Sequence, residues 1–166
     1  MKKTFITFVV GLTVIVLPCI ATSARADVVL DWNTVMVTTL SSQNPFAQAR
    51  FAAITQLAVF EAVNAITHDY QPYLGTITAP PSASAEAAAI AAAYRVLITY
   101  FPGAATTLDT ARTGSLAAIP DGPAKTAGII VGEAAATAMI APETWELMPA
   151  MRVSTNASSV DSKLRA

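Results

Sequence analysis

Cysteine and charge are both scarce in this chain. One of its 166 residues is a cysteine, and charged residues make up 13%. With ten basic and eleven acidic residues and no long basic run, the chain lacks the positive patch by which proteins bind nucleic acid. Its hydrophobic fraction of 54% excludes an intrinsically disordered protein. The length suits one domain, or part of a larger one.

Glycine is also scarce, with 7 residues against 34 alanines. Alanine is the strongest helix former, and no strand-like alternation of useful length occurs. We therefore predict an all-α fold, a bundle of about five helices. Capping residues, prolines and glycines place these helices, caps included, at about 28–41, 44–66, 84–101, 104–119 and 122–141.

The first 26 residues have the features of a secretory signal peptide. Lys2 and Lys3 precede an uncharged, mostly apolar run, Phe5–Ala21, and Ala24–Ala26 supplies a small-x-small cleavage site. We expect cleavage after Ala26 and export to the periplasm or the extracellular space. Export without Cys19 would leave no disulfide or thiolate chemistry. The alternative is an uncleaved anchor, because about 17 residues can just span a bilayer.

Cleavage would leave 7 basic and 11 acidic residues, a net charge of -4. We predict a helical domain at 27–141, with no stable membrane span after cleavage, and an irregular, divergent tail at 142–166. The tail is rich in serine and has no sustained apolar period beyond Trp145, Leu147 and Met148.

The second helix is apolar around its whole circumference, which predicts that it is buried on every side and lies at the centre. Four companion helices would not readily cover it, so we expect the chain to be an incomplete part of a larger helical fold. The fifth helix has small residues on one face, including Gly128 and Gly132, which favour close approach to another helix.

Chemistry-bearing residues are few. His68 is the single histidine, so a typical zinc site would need carboxylates alone. A Ser-His-Asp triad is formally possible, but Gly114-Ser115 lacks the G-x-S-x-G elbow. Gly128 and Gly132 form only G-x-x-x-G, a packing pattern, and no phosphate-binding glycine loop occurs. A loop histidine and a small hydrolase that uses His68 remain alternatives.

Three polar residues project to one side of the second helix: Arg50, Glu61 and Asn64. Arg50 and Glu61 lie 11 residues apart, or roughly 16 Å along the axis, so each needs its own partner. Structural hydrogen bonds between helices and a role in shaping a site are the two interpretations.

Several stretches together resemble a known family, over about Asp27 to Ala141. They are Val28–Asn33, Ala49–Ile54, Ala58–Ile66, Tyr70–Tyr73 and Ile119–Pro123 with Gly128 and Gly132. In combination they resemble bacterial exported proteins related to vanadium-dependent haloperoxidases, within the type 2 phosphatidic acid phosphatase (acid phosphatase) superfamily. The resemblance covers only the N-terminal helical part of such proteins.

The resemblance implies an all-α protein whose catalytic half binds vanadate or phosphate with a Lys and Arg cluster, a Ser-Gly-His motif and a final Arg-to-His motif. None of these motifs occurs in this sequence, since His68 does not follow Ser-Gly. No catalytic, cofactor-binding or metal-binding residue is therefore carried over, and vanadate is expected only in a full-length relative.

Two functions follow as expectations. The first is an exported, truncated helical domain that is inactive alone, with a missing C-terminal half or a second copy of itself as partner. The second is a complete interaction module that binds a partner through its apolar surface.

Overall fold

The computed structural model describes residues 24–141, and their side chains from residue 28. This part of the chain forms five α-helices and no strand, which confirms the all-α prediction. The helices are α1 (Ala24–Leu40), α2 (Pro45–Thr67), α3 (Ala85–Tyr100), α4 (Ala105–Ala117) and α5 (Pro123–Ile140). A 3-10 turn, Pro102–Ala104, joins α3 to α4. Most of the predicted signal peptide and the tail at 142–166 lie outside the described residues.

The predicted caps start α2 and α3. The side chain of Asn44 accepts a hydrogen bond from the backbone N–H of Ala47, at 3.0 Å. Ser84 does the same for the N–H of Ala87, at 3.1 Å. Each cap satisfies a backbone donor that has no partner within its own helix. α1 begins at Ala24, earlier than predicted, so its first turn contains the predicted cleavage site.

The central helix is α3. Ten of its sixteen residues are buried, and it packs against α1, α2, α4 and α5. The prediction that α2 is the fully buried centre is wrong, because only eight of its 23 residues are buried. The reason is the alanine content of α3, which lets neighbouring helices approach it from every side.

The closest approach is between α3 and α5, at the predicted packing glycines. A Cβ atom added to Gly128 would collide with the carbonyl oxygen of Ser84 and lie 3.0 Å from the Cβ of Ala87. A Cβ atom on Gly132 would collide with the carbonyl oxygen of Ala88 and lie 2.8 Å from the Cβ of Ala91. Gly128 and Gly132 are therefore packing residues, and α5 runs in the same direction as α3.

α2 runs in the opposite direction to α3. Its Phe51 ring packs against Tyr100 and Phe101 at the end of α3, with ring centroids 4.8 and 5.1 Å apart. Near the other end of α2, Val63 shares a small cavity with Ala85, in the first turn of α3. The residues of α2 before Phe51 therefore extend past the end of α3.

In the described part of the chain, one helix taken by itself, α2, is long and apolar enough to cross a membrane, judged by length and composition. The pair formed by α3 and α4 passes the same test only if it is taken as one span, bent by 118°. A core helix of a bundle meets this criterion as well, and α2 buries Thr55, Glu61 and Asn64 on its inner side.

Candidate functional site

The polar residues that stand out in the sequence of α2 lie at its C-terminal end and in the loop that follows. His68 ends the helix in the left-handed conformation, with φ 58° and ψ 28°, and its backbone N–H donates to the carbonyl oxygen of Asn64 at 2.8 Å. A left-handed residue at this position is a common way to stop a helix, although glycine is the usual choice. His68 thus directs the chain into the loop at 69–83.

Asn64 fastens the start of this loop with both ends of its amide. Its Nδ2 donates to the carbonyl oxygen of Tyr70, and its Oδ1 accepts from the N–H of Tyr70, each at 2.9 Å. The side chain is buried, with 4% of the residue exposed. Both backbone groups of Tyr70 are therefore satisfied by one side chain.

Glu61 fastens the next part of the loop. It is 1% exposed, and its Oε1 accepts hydrogen bonds from the backbone N–H groups of Tyr73 and Leu74, the latter at 2.9 Å. A buried carboxylate requires such partners, because an uncompensated buried charge is strongly destabilising. Glu61 therefore makes structural hydrogen bonds, as one interpretation of the sequence has it, but to a loop and not to another helix.

Arg50 does not join these two residues. It is exposed near the opposite end of α2, with its guanidinium carbon 5.7 Å from the centroid of the Phe51 ring. The three polar residues that share one side of α2 in sequence therefore do not form one site.

Two hollows flank Tyr70. One is a groove of about 260 Å³ between α1 and α2, mostly apolar, with Val29, Val59, Phe60 and Val63 in its wall. The other, of about 230 Å³, is lined by residues of α2 and of the loop: Glu61, Asn64, Ala65, His68, Tyr70, Pro72, Gly75 and Ile77.

The second hollow is more polar, yet its polar groups are largely engaged. The Nδ1 atom of His68 lies 3.2 Å from the carbonyl oxygen of Ile66, a geometry that fits a protonated Nδ1. The Oε1 atom of Glu61 already accepts two backbone hydrogen bonds. This arrangement holds a loop, and among residues 28–141 the His68 ring has the backbone carbonyl of Ile66, and no carboxylate, hydroxyl or thiol, as its hydrogen-bond partner.

A second polar cluster, which the sequence reasoning missed, joins α3, α4 and α5. Glu133 of α5 faces Arg95 of α3 at 3.6 Å and Arg112 of α4 at 3.7 Å. The Arg112 guanidinium lies over the Tyr94 ring, with its carbon 4.6 Å from the centroid, and the Tyr94 hydroxyl donates to Asp109 at 2.6 Å. Opposite charges on three different helices could have signalled this cluster only if the packing of those helices were known.

The hydrogen bond to Asp109 raises the pKa of Tyr94 above its ordinary value, and burial adds to the shift. Both effects favour the neutral phenol. Arg95 and Arg112 share the Glu133 carboxylate, so a single negative charge faces two guanidinium groups.

Candidate ligands for metal ions are dispersed. Between residues 24 and 141, no group of three or more histidine, cysteine, aspartate or glutamate side chains is placed to hold a metal ion.

Comparison with known proteins gives no match: no family model, no curated protein and no solved structure matches the chain.

Proposed function

We propose that residues 27–141 are the helical scaffold part of an exported protein related to vanadium-dependent haloperoxidases and type 2 phosphatidic acid phosphatases. On this proposal the scaffold catalyses no reaction by itself. One observation carries it: two stretches on which the resemblance rests, Ala58–Ile66 and Tyr70–Tyr73, meet in the structure. Their polar residues hold a loop in place, which is a structural task.

The cations of the described residues fit this scaffold role better than a vanadate site. A vanadate or phosphate site needs several cationic donors aimed at one oxyanion. Arg95 and Arg112 instead face Glu133. Lys125 donates to the carbonyl oxygen of Ile119 at 3.2 Å and to Asp121 at 2.8 Å. The pairing of these three cations supports the proposal that a further helical part of the protein holds the cofactor.

Activity assays on the exported chain, residues 27–166, test the proposal. We expect neither vanadate-dependent oxidation of bromide nor hydrolysis of a phosphate monoester. A Glu133→Gln variant is the control, because it removes the carboxylate that Arg95 and Arg112 face without touching the loop. We expect this variant to be inactive in both assays as well. Turnover by the unmodified chain in either assay would reject the proposal.

The coding sequence gives an independent test. If the proposal is right, the DNA downstream of the codon for Ala166, read in all three frames, encodes the Lys and Arg cluster and a Ser-Gly-His motif. A downstream region without these motifs in any frame contradicts it.

An interaction module is the second candidate, and the groove between α1 and α2 favours it. Its wall is largely apolar, and the ring of Phe60 in it is only partly buried. On this function, Phe60→Asp abolishes binding of the partner, whereas Ile130→Asp, on the exposed face of α5, does not. A Phe60→Asp protein that is folded and still binds its partner normally would exclude the groove as the binding surface.

A further inference from the structure

The first turn of α2 carries the most exposed large apolar side chain reported for the described residues. Phe46 is 89% exposed, and it lies five residues before Phe51, which packs at the end of α3. Phe46 is therefore on the part of α2 that extends past α3. An exposed phenylalanine on a well-formed helix is a candidate contact site.

The chain leaves α5 close to this part of α2. α5 starts beside the start of α3, where the Ser84 N–H donates to the carbonyl oxygen of Ala124 at 2.9 Å. It runs in the direction of α3 for a similar length and packs against α2. Ile140 consequently lies at the end of the bundle where α2 begins, and the residues after Ala141 start their path there.

The residues after Ala141 include several large apolar side chains that could pack against Phe46. Within ten residues of Ala141 come the apolar side chains Trp145, Leu147, Met148 and Met151. Packed helices have axes about 8–10 Å apart. The four residues from Ala141 to Trp145 span up to about 14 Å when extended, so Trp145 can reach a neighbouring helix.

Charge favours the same placement. The segment carries two acidic residues, Glu143 and Glu146, and no basic residue before Arg152. Arg50 is the one cation in the sequence of α2, one turn after Phe46, and it is exposed. Acidic residues of the segment would therefore lie near a positive charge.

We propose that residues 143–151 of this chain pack on the first two turns of α2, with Trp145 against Phe46 and an acidic side chain beside Arg50. The placement rests on where α5 ends and does not depend on the scaffold function proposed above. It gives the tail a defined docking site on its own domain.

Tryptophan fluorescence of the full exported chain, residues 27–166, tests this placement. The chain has two tryptophans, and Trp32 is buried at 3% exposure, so the difference between the unmodified chain and its Trp145→Phe variant reports Trp145. We expect Trp145 to emit at a shorter wavelength than a free tryptophan and to be protected from acrylamide. Phe46→Ala should lower the ratio of docked to undocked chains about tenfold, which shifts this emission to longer wavelength.

Leu30→Ala is the matched control. Leu30 is 62% exposed at the other end of the bundle, next to Val29, which shares a cavity with Ala85 at the start of α3. This substitution should leave the emission of Trp145 unchanged. Arg50→Glu should weaken the protection, and adding Glu146→Arg should restore part of it.

Three results would overturn the proposal. The first is a Trp145 that is fully open to acrylamide in the unmodified chain. The second is an equal response to Phe46→Ala and Leu30→Ala. The third is protection that disappears on dilution, because it would show that a second copy of the chain covers Phe46.

Discussion

The packing of α5 on α3 can be tested by adding a single methyl group. In a Gly132→Ala variant, the new Cβ would lie 2.8 Å from the Cβ of Ala91 and 2.9 Å from the backbone nitrogen of Ala92, and against the carbonyl oxygen of Ala88. Overpacking of this kind costs about 1–3 kcal/mol. Alanine recovers about 0.8–1.0 kcal/mol through its higher helix propensity. We therefore expect a net loss of stability of about 0–2 kcal/mol.

Gly114→Ala separates the two contributions. Gly114 lies inside α4, and a Cβ atom there would have nothing within 4 Å. This variant should gain about 0.8–1.0 kcal/mol from propensity alone. The free energies of unfolding of the two variants should thus differ by about 1–3 kcal/mol in urea denaturation. Equal stabilisation by both substitutions would refute the close approach of α3 and α5.

Two further substitutions test local features. His68→Gly should stabilise the protein by about 1 kcal/mol, because glycine adopts the left-handed conformation without the steric cost that a side chain carries. A variant with a lower melting temperature would show that the His68 ring itself is needed. Tyr94, whose pKa is raised, should form its phenolate above the ordinary value of 10.0, measured as the difference between absorbance titrations of the unmodified chain and its Tyr94→Phe variant. The stability that this proton confers should be present below pH 10.0 and lost as pH rises through the pKa of the folded state, and Tyr94→Phe should remove that pH dependence. A Tyr94 phenolate that forms at or below pH 10.0 contradicts the hydrogen bond to Asp109.

Local signals made the helices predictable. Asn44 and Ser84 are good caps whose side chains reach the first turn whatever the rest of the fold does, and proline and glycine mark the breaks. The packing role of Gly128 and Gly132 was equally readable, since only small residues permit such an approach. The caps depend on residues close together in the sequence, whereas the two glycines reveal a close approach without revealing that α3 is the partner.

The central position of α3 could not be predicted from the helical periodicity of its apolar residues. Large apolar side chains dominate the helical pattern, and α2 has more phenylalanines and branched residues than α3. An alanine-rich face can be buried or exposed, and which of the two occurs depends on the helices that pack against it. α3 became central because α5 has two glycines that fit against its alanines.

The hydrogen-bond partners of the site residues could not be predicted from the sequence either. Glu61 binds backbone N–H groups 12 and 13 residues further along the chain, and every residue except proline supplies such a group. No side-chain pattern marks these positions. The need for a partner could be inferred from the burial of a carboxylate, whereas its identity required the path of the loop.

Hydrogen exchange at the backbone amides of Tyr73 and Leu74 tests most directly whether Glu61 is a structural residue. We expect both amides to be protected in the unmodified chain, and to lose that protection in Glu61→Ala while the amides of α3 keep theirs. Glu61→Gln, which retains an acceptor oxygen, should keep part of the protection. Rapid exchange of both amides in the unmodified chain would contradict the account, because it would leave the Glu61 carboxylate available for chemistry.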